Sequence, residues 1–324
     1  MNRTTKNIVV GIGATALVFT LATNASAQNY PNKRITFVVG FAAGGFADSV
    51  SRIVGQHVGK VLGQTVVVEN RAGAGSNIAA RAVASAPADG YTVLASTTSL
   101  AVNATLNKKL DYSLVNDLIP LAVAVRAPET FTANPSRPKT LKEFLAASKS
   151  TKYTFGSSGV GSGSHLTWFA FLKDVAKVEV DHVPFNGGAP AMQATIGGQI
   201  DSLAATASGS VVAQVAEGKL TCLAVAAAKR YEYLPNCPTV AEAGFPVYEG
   251  SSWVGFWVPK GTPADVVAAL NKAINSVADE AQAAANLKKN GDLLKLSVME
   301  ADGFVRSEVA TWAIRVKSAG VQID

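Results

Sequence analysis

The sequence has few of the residues that enzymes most often use for chemistry. It contains two cysteines and three histidines in 324 residues, and it lacks the Gly-x-Ser-x-Gly motif of many hydrolases. No histidine lies three to five residues from another histidine or beside a cysteine pair, so the usual spacing of zinc ligands is absent. His57 falls in an amphipathic helical pattern and His182 in a strand pattern, which are structural settings. We therefore predict no enzymatic activity, no metal site and no cofactor.

Charged side chains are also sparse, at 16% of the chain, and they form no run of one sign. Without the first 27 residues, 27 basic residues remain against 23 acidic ones, which leaves a net charge of +4. Such a diffuse positive charge attracts anions weakly and is no footprint for nucleic acid. Because 48% of the residues are apolar, the chain can fill two domain cores, and disorder is excluded.

The one long, largely apolar run lies at the start of the chain, where it has the layout of an export signal. Arg3 and Lys6 precede the run 8–22, and the small residues Ala25-Ser26-Ala27 follow it. About 15 apolar residues are too few for an ordinary membrane span, which needs roughly 20. We predict a signal peptide over residues 1–27, cleavage before Gln28 and a periplasmic location; an uncleaved anchor is the alternative.

Cys222 and Cys237 are the only cysteines, and they are candidates for a disulfide in an oxidising compartment. Closing a loop of this length contributes roughly 3 kcal/mol in the chain-entropy model. Two free buried thiols are the alternative.

The rest of the chain alternates short apolar segments with amphipathic ones, as a doubly wound α/β sheet requires. In the first half, we predict strands at 34–41, 65–69 and 91–96 with helices over 50–62 and 78–86. The alternation begins again after Arg126-Ala127-Pro128, with a capping box at Thr140 and Glu143. There we predict strands at 153–155, 181–185, 200–205 and 221–226, and helices at 142–149, 165–175, 189–196 and from a cap at Thr239 and Glu242.

The C-terminal segment adds two helices without a sheet of its own. One helix is predicted to begin at 262–265, where a cap residue is followed by a proline at the first helical position and an acidic residue in the first turn. It is predicted to run to about Lys289. A last helix is predicted over 301–319. We expect this tail to pack on the first lobe, so that residues 28–125 and 250–324 form lobe 1 and residues 126–249 form lobe 2. The chain would then cross near Val125 and near Gly250, with the ligand cleft between the lobes at the ends of the strands.

Glycine-rich loops follow two of the predicted strands and lead into helices. The first, residues 40–48, places Gly44 and Gly45 where backbone N–H groups can approach an anion closely. The second, residues 156–165, offers serine hydroxyls as well as amides; a flexible surface turn is its alternative. Two such loops facing each other could hold the two ends of a diacid. The glycines do not fit Gly-x-Gly-x-x-Gly, so a dinucleotide is disfavoured.

Other polar residues lie at the same predicted edge. Thr97 and Thr98 follow a strand, and Asn186 precedes a third glycine break. Asp48 has two interpretations, a residue that complements the helix dipole or a ligand contact. His165 stands near a helix start, which disfavours its charged form, so we predict a neutral hydrogen-bonding role.

Many segments of the chain resemble the Bug family, the substrate-binding receptors of tripartite tricarboxylate transporters. The similar segments are 30–31, 34–41, 44–48, 62–64, 67–75, 88–92, 153–159 with His165, 182–185, 197–199, 218–220, 228–230 and 238–244. The resemblance implies a two-lobed periplasmic-binding protein fold of type II, each lobe a doubly wound sheet flanked by helices. It also implies a monomer that holds a small carboxylate through backbone amides and bridging waters and serves integral membrane transporter subunits or a sensor protein.

Loop position and the resemblance together give a predicted binding set. It consists of Phe41, Ala43, Gly44, Gly45, Phe46, Asp48, Thr97, Thr98, Ser157, Ser158, Gly159, Ser162, His165, Asn186, Gly187, Gly188, Ala189 and Thr206.

Two departures from the family pattern bear on the ligand. The first loop has Ala42-Ala43 where the family often has proline, and Phe46 where a small residue is common. Ala204-Ala205-Thr206 stands where the family often has an aspartate, so a partner for a ligand ammonium group is missing and an amino acid is disfavoured. An added aromatic ring favours a flat ligand.

We therefore predict an aromatic carboxylate, such as a benzene dicarboxylate, as the captured molecule. An aliphatic di- or tricarboxylate receptor serving a signalling system is the alternative, followed by a periplasmic enzyme. A one-component regulator is disfavoured because no DNA-binding helix pair precedes Tyr30.

Overall fold

The computed structural model describes residues 30–320 as an α/β protein. The predicted signal peptide and its cleavage site before Gln28 lie outside these residues. The strands are β1 (Ile35–Val39), β2 (Val66–Asn70), β3 (Thr92–Thr97), β4 (Leu118–Ala133), β5 (Thr154–Ser157), β6 (Asp181–Pro184), β7 (Ser202–Thr206), β8 (Thr221–Val225), β9 (Ser251–Pro259) and β10 (Asp292–Leu293). The helices are α1 (Phe46–Leu62), α2 (Asn77–Ala84), α3 (Ser99–Leu106), α4 (Leu141–Ala147), α5 (Gly163–Ala170), α6 (Gly188–Ile196), α7 (Gly209–Ala216), α8 (Ala264–Asn275), α9 (Ala281–Lys288) and α10 (Val298–Ala319).

The strands pair in the order β2-β1-β3-β9-β4-β7-β5-β6, and β8 and β10 also pair with β4. The β2-β1-β3 and β7-β5-β6 pairs are parallel. The sheet as a whole is mixed, because β9 is antiparallel to both β3 and β4. β9 and β4 had not been predicted as strands.

The long strand β4 belongs to both halves of the sheet. Its residues Leu118 to Pro128 pair with β9, and its residues from Glu129 onward pair with β7. Pro128 stands where β4 changes from one partner strand to the other. A proline suits this position because it has no N–H to donate to a neighbouring strand. The change of partner lies just past Val125, and β9 begins directly after Gly250; the predicted lobe boundaries at these two positions stay predictions.

A ring of three backbone hydrogen bonds fixes the point where β4 changes partner. Glu129 N–H donates to Gly250 O at 2.8 Å, Gly250 N–H donates to Ala226 O at 2.9 Å, and Ala226 N–H donates to Glu129 O at 2.8 Å. The ring joins the middle of β4, the residue after β8 and the residue before β9. Each N–H and C=O used here would otherwise be buried without a partner.

Helices cover both faces of each part of the sheet, so the predicted doubly wound architecture is confirmed. In the first part, alternate β1 residues point to opposite sides: Phe37 packs with α1 and α8, and Val38 packs with α2, α3 and α10. Period-two alternation of buried side chains produces this result when both faces are covered. The second part has α4 and α5 on one face, around Phe131, and α6 and α7 on the other, around Leu203.

The predicted helix 264–289 is wrong as a single element. α8 ends at Asn275, whose side-chain amide donates to Leu296 O, and a short 3₁₀ turn follows. α9 then begins anew after Glu280, because that carboxylate accepts hydrogen bonds from the backbone of Gln282 and Ala283. The carboxylate of Glu280 thus caps the N-terminus of a separate helix.

The helix predicted from Thr239 is also wrong. Thr239 and Glu242 do form reciprocal side-chain to backbone hydrogen bonds, yet the turn ends at Gly244, which has φ +92°. Pro246 follows at once, so no second turn can form. The helix predicted over 165–175 changes at Phe171 from an α-helix to a π-helical turn. α3 and α7 had not been predicted.

The described helices include none that is both long enough and apolar enough to cross a membrane. The structure joins Cys222, on β8, to Cys237 with a Cα separation of 5.5 Å. Cys237 is buried in a cluster with Val225, Tyr231 and Leu234. The disulfide therefore ties the segment after β8 back to that strand.

Replacing both Cys222 and Cys237 by alanine should lower the free energy of unfolding by about 3 kcal/mol, because the closed loop restricts the unfolded chain. Urea titration with and without a thiol reductant measures the loss. The wild-type protein should be destabilised by the reductant, whereas the double variant should not respond. A wild-type protein that is equally indifferent to the reductant would contradict the bond.

Candidate functional site

Four helix N-termini surround one small cavity between the two parts of the sheet. The helices are α1, α3, α5 and α6, and each follows a loop at the carboxyl end of a strand. The cavity has a volume of about 20 Å³, which is room for about one water molecule. Its lining residues are Phe41, Gly45, Phe46, Ala47, Thr97, Ser99, Glu129, Ser158, Ser162, Gly163, Ser164, Gly188, Thr206 and Ser252.

The loops from the two parts of the sheet touch across this cavity. Ala42 N–H, in the first loop, donates to Asn186 O at 2.9 Å. Gly187 makes the approach possible, since a Cβ there would lie 3.1 Å from Ala42 N and its φ is +156°. Ala189 packs near Gly44 at the same contact. In the described conformation the two loops are therefore in direct contact beside the cavity.

Hydroxyl groups and backbone amides dominate the lining, and no Lys, Arg or His side chain of residues 30–320 takes part. Ser162 caps α5 by accepting from His165 N–H, which leaves the amides of Gly163 and Ser164 at the cavity. Gly45, at the N-cap of α1, has no side chain to satisfy the first amides of that helix. Uncapped amides and the helix dipole favour an anion at such a position.

Asp48 braces the first loop and does not line the cavity. Its side chain is 3% exposed and accepts hydrogen bonds from Gly44 N–H, Arg52 Nε and Asn70 Nδ2 at 2.9 Å each. Burial alone would raise the pKa of Asp48, but these three donors stabilise the carboxylate and lower it overall. Gly44 has φ +81°, so the loop turns back on Asp48 through a conformation that suits glycine.

His165 lies behind the second loop and not in the cavity. Its ring stacks on His182 with centroids 4.0 Å apart, and its Nδ1 accepts from Gly161 N–H at 3.4 Å. Burial, reinforced by His182, lowers the pKa of His165 to about 3. Ser157 Oγ lies 2.7 Å from His182 Nε2, but this hydroxyl is wholly buried and faces the histidine pair. The group supports the loop, in agreement with the neutral role predicted for His165.

The structure brings together part of the predicted binding set. The members that line the cavity are Phe41, Gly45, Phe46, Thr97, Ser158, Ser162, Gly188 and Thr206. Gly159 and Asn186 line an adjoining cavity of about 260 Å³. The other members do not line either cavity. Ala43 and Gly44 are exposed, and the Thr98 hydroxyl accepts a hydrogen bond from Trp253 N–H. Gly187 and Ala189 lie at the contact between the loops, and Asp48, Ser157 and His165 lie where described above.

Glu129 is the main residue of the cavity that sequence reasoning did not find. It is 0% exposed, and its Oε1 accepts from Thr206 Oγ1 at 3.3 Å. Among residues 30–320, its Oε2 has no hydrogen-bond partner. The sequence did contain a signal for the burial of Glu129. In an extended strand, Glu129 lies on the same face as the apolar residues Ala127 and Phe131, which are buried. The sequence analysis instead placed a chain crossing near Val125, next to this segment.

Burial raises the pKa of Glu129 to about 8, opposed only by the hydrogen bond from Thr206. The N-terminus of α5 is close, since a Cβ on Gly163 would lie 3.4 Å from Glu129 Oε1. A helix N-terminus stabilises an anion by about 0.3–1 kcal/mol, whereas removing a carboxylate from water costs several kcal/mol. Burial therefore prevails, and the group is mostly protonated at neutral pH.

Glu129 removes the reason for which the sequence disfavoured an amino acid ligand, namely the lack of a carboxylate at Ala204-Ala205-Thr206. Thr206, which stands where related proteins were expected to carry a carboxylate, is the register partner of Glu129 across β4 and β7. The cavity therefore contains a carboxyl group on the neighbouring strand. Lack of a carboxyl group is no reason to exclude an ammonium ligand. Within residues 30–320, no group of His, Cys, Asp or Glu side chains could hold a metal ion.

Comparison with known proteins agrees with this geometry. The model of the tripartite tricarboxylate transporter family receptor matches residues 50–321. The solved structure of the periplasmic binding protein BugD is 31% identical, with a TM-score of 0.85 over 90% of this chain and 99% of that one. A Rhodopseudomonas palustris protein with adipate is 30% identical, with a TM-score of 0.85 over 90% and 99%. MatC from the same species, with bound malate, is 32% identical, with a TM-score of 0.83 over 89% and 100%.

These similarities confirm the predicted family and the two-lobed fold. They also confirm that the protein is a binding receptor and not an enzyme. The chain belongs to the tripartite tricarboxylate transporter receptor family, the Bug-type periplasmic solute-binding proteins.

Proposed function

We propose that this receptor captures a small dicarboxylate in the cavity between the two glycine loops and delivers it to the membrane subunits of a tripartite transporter. The observation that carries the proposal is the convergence of four helix N-termini on a cavity without a basic side chain. Helix N-termini on opposite sides of a cavity suit a molecule with an anionic group at each end.

The two lobes of the proposal are residues 28–125 with 250–324, and residues 126–249. The direct bond between Ala42 and Asn186 supports closure of one loop upon the other. The ring of backbone bonds at Glu129 and Gly250 supports a hinge there, because only short chain segments cross at that point. Export through a signal peptide over residues 1–27 belongs to the same proposal, as does action as a monomer.

Among dicarboxylates we propose one with an aromatic ring. Phe41 and Phe46 both line the cavity, and Phe46 is only partly buried by the core beneath it. A free aromatic face next to the anion site favours an offset ring, with a gain of about 0.5–1.5 kcal/mol beyond the area buried. A benzene dicarboxylate combines that ring with two carboxylates.

An aliphatic dicarboxylate is the second candidate, and the similar proteins favour it. Two solved relatives, each about 30% identical, carry adipate and malate. The many hydroxyl groups of the lining are also compatible with a flexible hydroxy acid. Service to a sensor protein in place of a transporter is the alternative destination.

A thermal-shift panel separates the two candidates. Benzene-1,4-dicarboxylate at about 100 times its Kd should stabilise the protein by about 2.7 kcal/mol, which raises Tm by roughly 5 °C for a chain of this size. Benzoate, adipate, malate, citrate and glutamate complete the panel. Stabilisation by adipate or malate alone would contradict the aromatic preference, and no shift with any acid would contradict the proposal as a whole.

Replacing Phe46 by leucine tests the aromatic contact. The affinity for benzene-1,4-dicarboxylate should fall about tenfold because the ring contact is lost, while that for adipate should change by less than about twofold. Isothermal titration calorimetry measures both. Phe304→Leu is the matched control, since Phe304 packs on Trp253 outside the cavity lining. Equal losses for both acids with Phe46→Leu would speak against stacking.

A further inference from the structure

We propose that Glu129 takes part in ligand binding, by donating a hydrogen bond from its carboxyl group to a carboxylate oxygen of the ligand. The inference rests on the proposed function, since it assumes a carboxylate ligand in the cavity. It adds a residue that the binding motifs do not contain.

The position of the proton follows from the hydrogen bonds. Thr206 Oγ1 donates to Glu129 Oε1, so in the neutral carboxyl group Oε1 is the carbonyl oxygen. The proton then lies on Oε2, a wholly buried atom that has no partner among the described residues, and Glu129 belongs to the cavity lining. A buried donor without an acceptor is costly. A carboxylate oxygen of a ligand supplies that acceptor.

Among the charged and titratable groups on the elements around Glu129, only Glu129 itself has a pKa near 8. On β4 the nearest is Arg126, whose side chain is exposed and donates to Ser251 Oγ. Ahead of β9 stands Glu249, which is exposed, and on α5 stands His165, which stays neutral down to acid pH. The strand β7 carries none within its bounds. None of these groups contributes to the raised pKa of Glu129, which comes from burial.

The sign of the pH dependence follows from this arrangement. Below pH 8, Glu129 is neutral and donates to the ligand; above it, the carboxylate repels an anionic ligand. Affinity for a dianion should therefore be constant at lower pH and fall about tenfold for each unit above about pH 8. A ligand ammonium group would give the opposite trend, since an ionised Glu129 would attract it.

The experiment measures the Kd of adipate and of benzene-1,4-dicarboxylate by calorimetry between pH 6.5 and pH 9.5, where both acids are fully ionised. For the wild-type protein we expect Kd to rise about tenfold between pH 7 and pH 9. In Glu129→Gln, an amide N–H replaces the donor and cannot ionise, so Kd should stay within about threefold of the wild-type value at pH 7 and be flat with pH. Glu249→Gln, an exposed carboxylate nearby, is the matched control and should keep the wild-type profile.

Three outcomes overturn the inference while leaving the receptor function intact. In the first, the affinity of Glu129→Gln falls with pH as that of the wild type does. In the second, the affinity of both proteins is independent of pH. In the third, the affinity of the wild type rises with pH and this rise is absent in Glu129→Gln. The last outcome would assign the carboxylate to a cationic ligand group. Failure of every acid to bind the wild-type protein at any pH would instead refute the proposed function, and this inference with it.

An infrared measurement tests the donor directly. At pH 7, the wild-type protein should show the carbonyl band of a protonated acid, which Glu129→Gln should lack, and the band should move to lower frequency when adipate binds. A band that is absent at pH 7 or unmoved by adipate contradicts the inference. If Glu129→Gln does not fold, Thr206→Val serves instead: loss of the hydroxyl that lowers the pKa of Glu129 should move the fall in affinity to higher pH.

Discussion

The ring of backbone hydrogen bonds among Glu129, Ala226 and Gly250 is the constraint on which the rest of the site depends. It holds the middle of β4 against the end of β8 and the start of β9, so the two parts of the sheet meet at a fixed point. Pro128, without an N–H, stands where β4 changes partner. Because the ring orders the backbone of Glu129, it also fixes where its carboxyl group lies, beneath the loops that meet across the cavity.

In the proposed function, anion capture depends on backbone dipoles more than on side-chain charge. Four helices begin at the cavity, and its lining contains hydroxyl groups but no basic side chain. A lysine or arginine would bind many anions strongly, whereas amides held by loops are directional and select by shape. Asp48 has its place in this scheme as a brace, since its carboxylate is occupied by Gly44, Arg52 and Asn70. In the proposed function a neutral Glu129 is compatible with an anionic ligand, whereas an ionised carboxylate in the same cavity would repel it.

Related proteins that carry adipate and malate share the fold of this chain. Fold alone does not choose among acids, since the amides of helix N-termini are common to any sequence that forms these helices. Differences in ligand must come from side chains at the cavity. Phe46 and Glu129 are the two lining residues with the most distinctive chemistry, one offering an aromatic face and the other a buried carboxyl group. Both project from backbone whose position is set by α1 or by β4.

The sequence by itself determined the alternation of strands and helices and the glycine loops at the strand ends, because these depend on local periodicity and turn chemistry. The class of protein followed from the resemblance of many segments to the Bug family. The sequence also determined half of the cavity lining, where loop residues such as Gly45, Ser158 and Ser162 follow their strands directly. Tertiary structure decided the rest. β4 and β9 pair with each other although they lie far apart in sequence, and the side chain of Asn275, at the end of α8, donates to Leu296 O. Glu129 becomes a buried residue of the cavity for the same reason: the burial that raises its pKa is created only when distant segments meet around it.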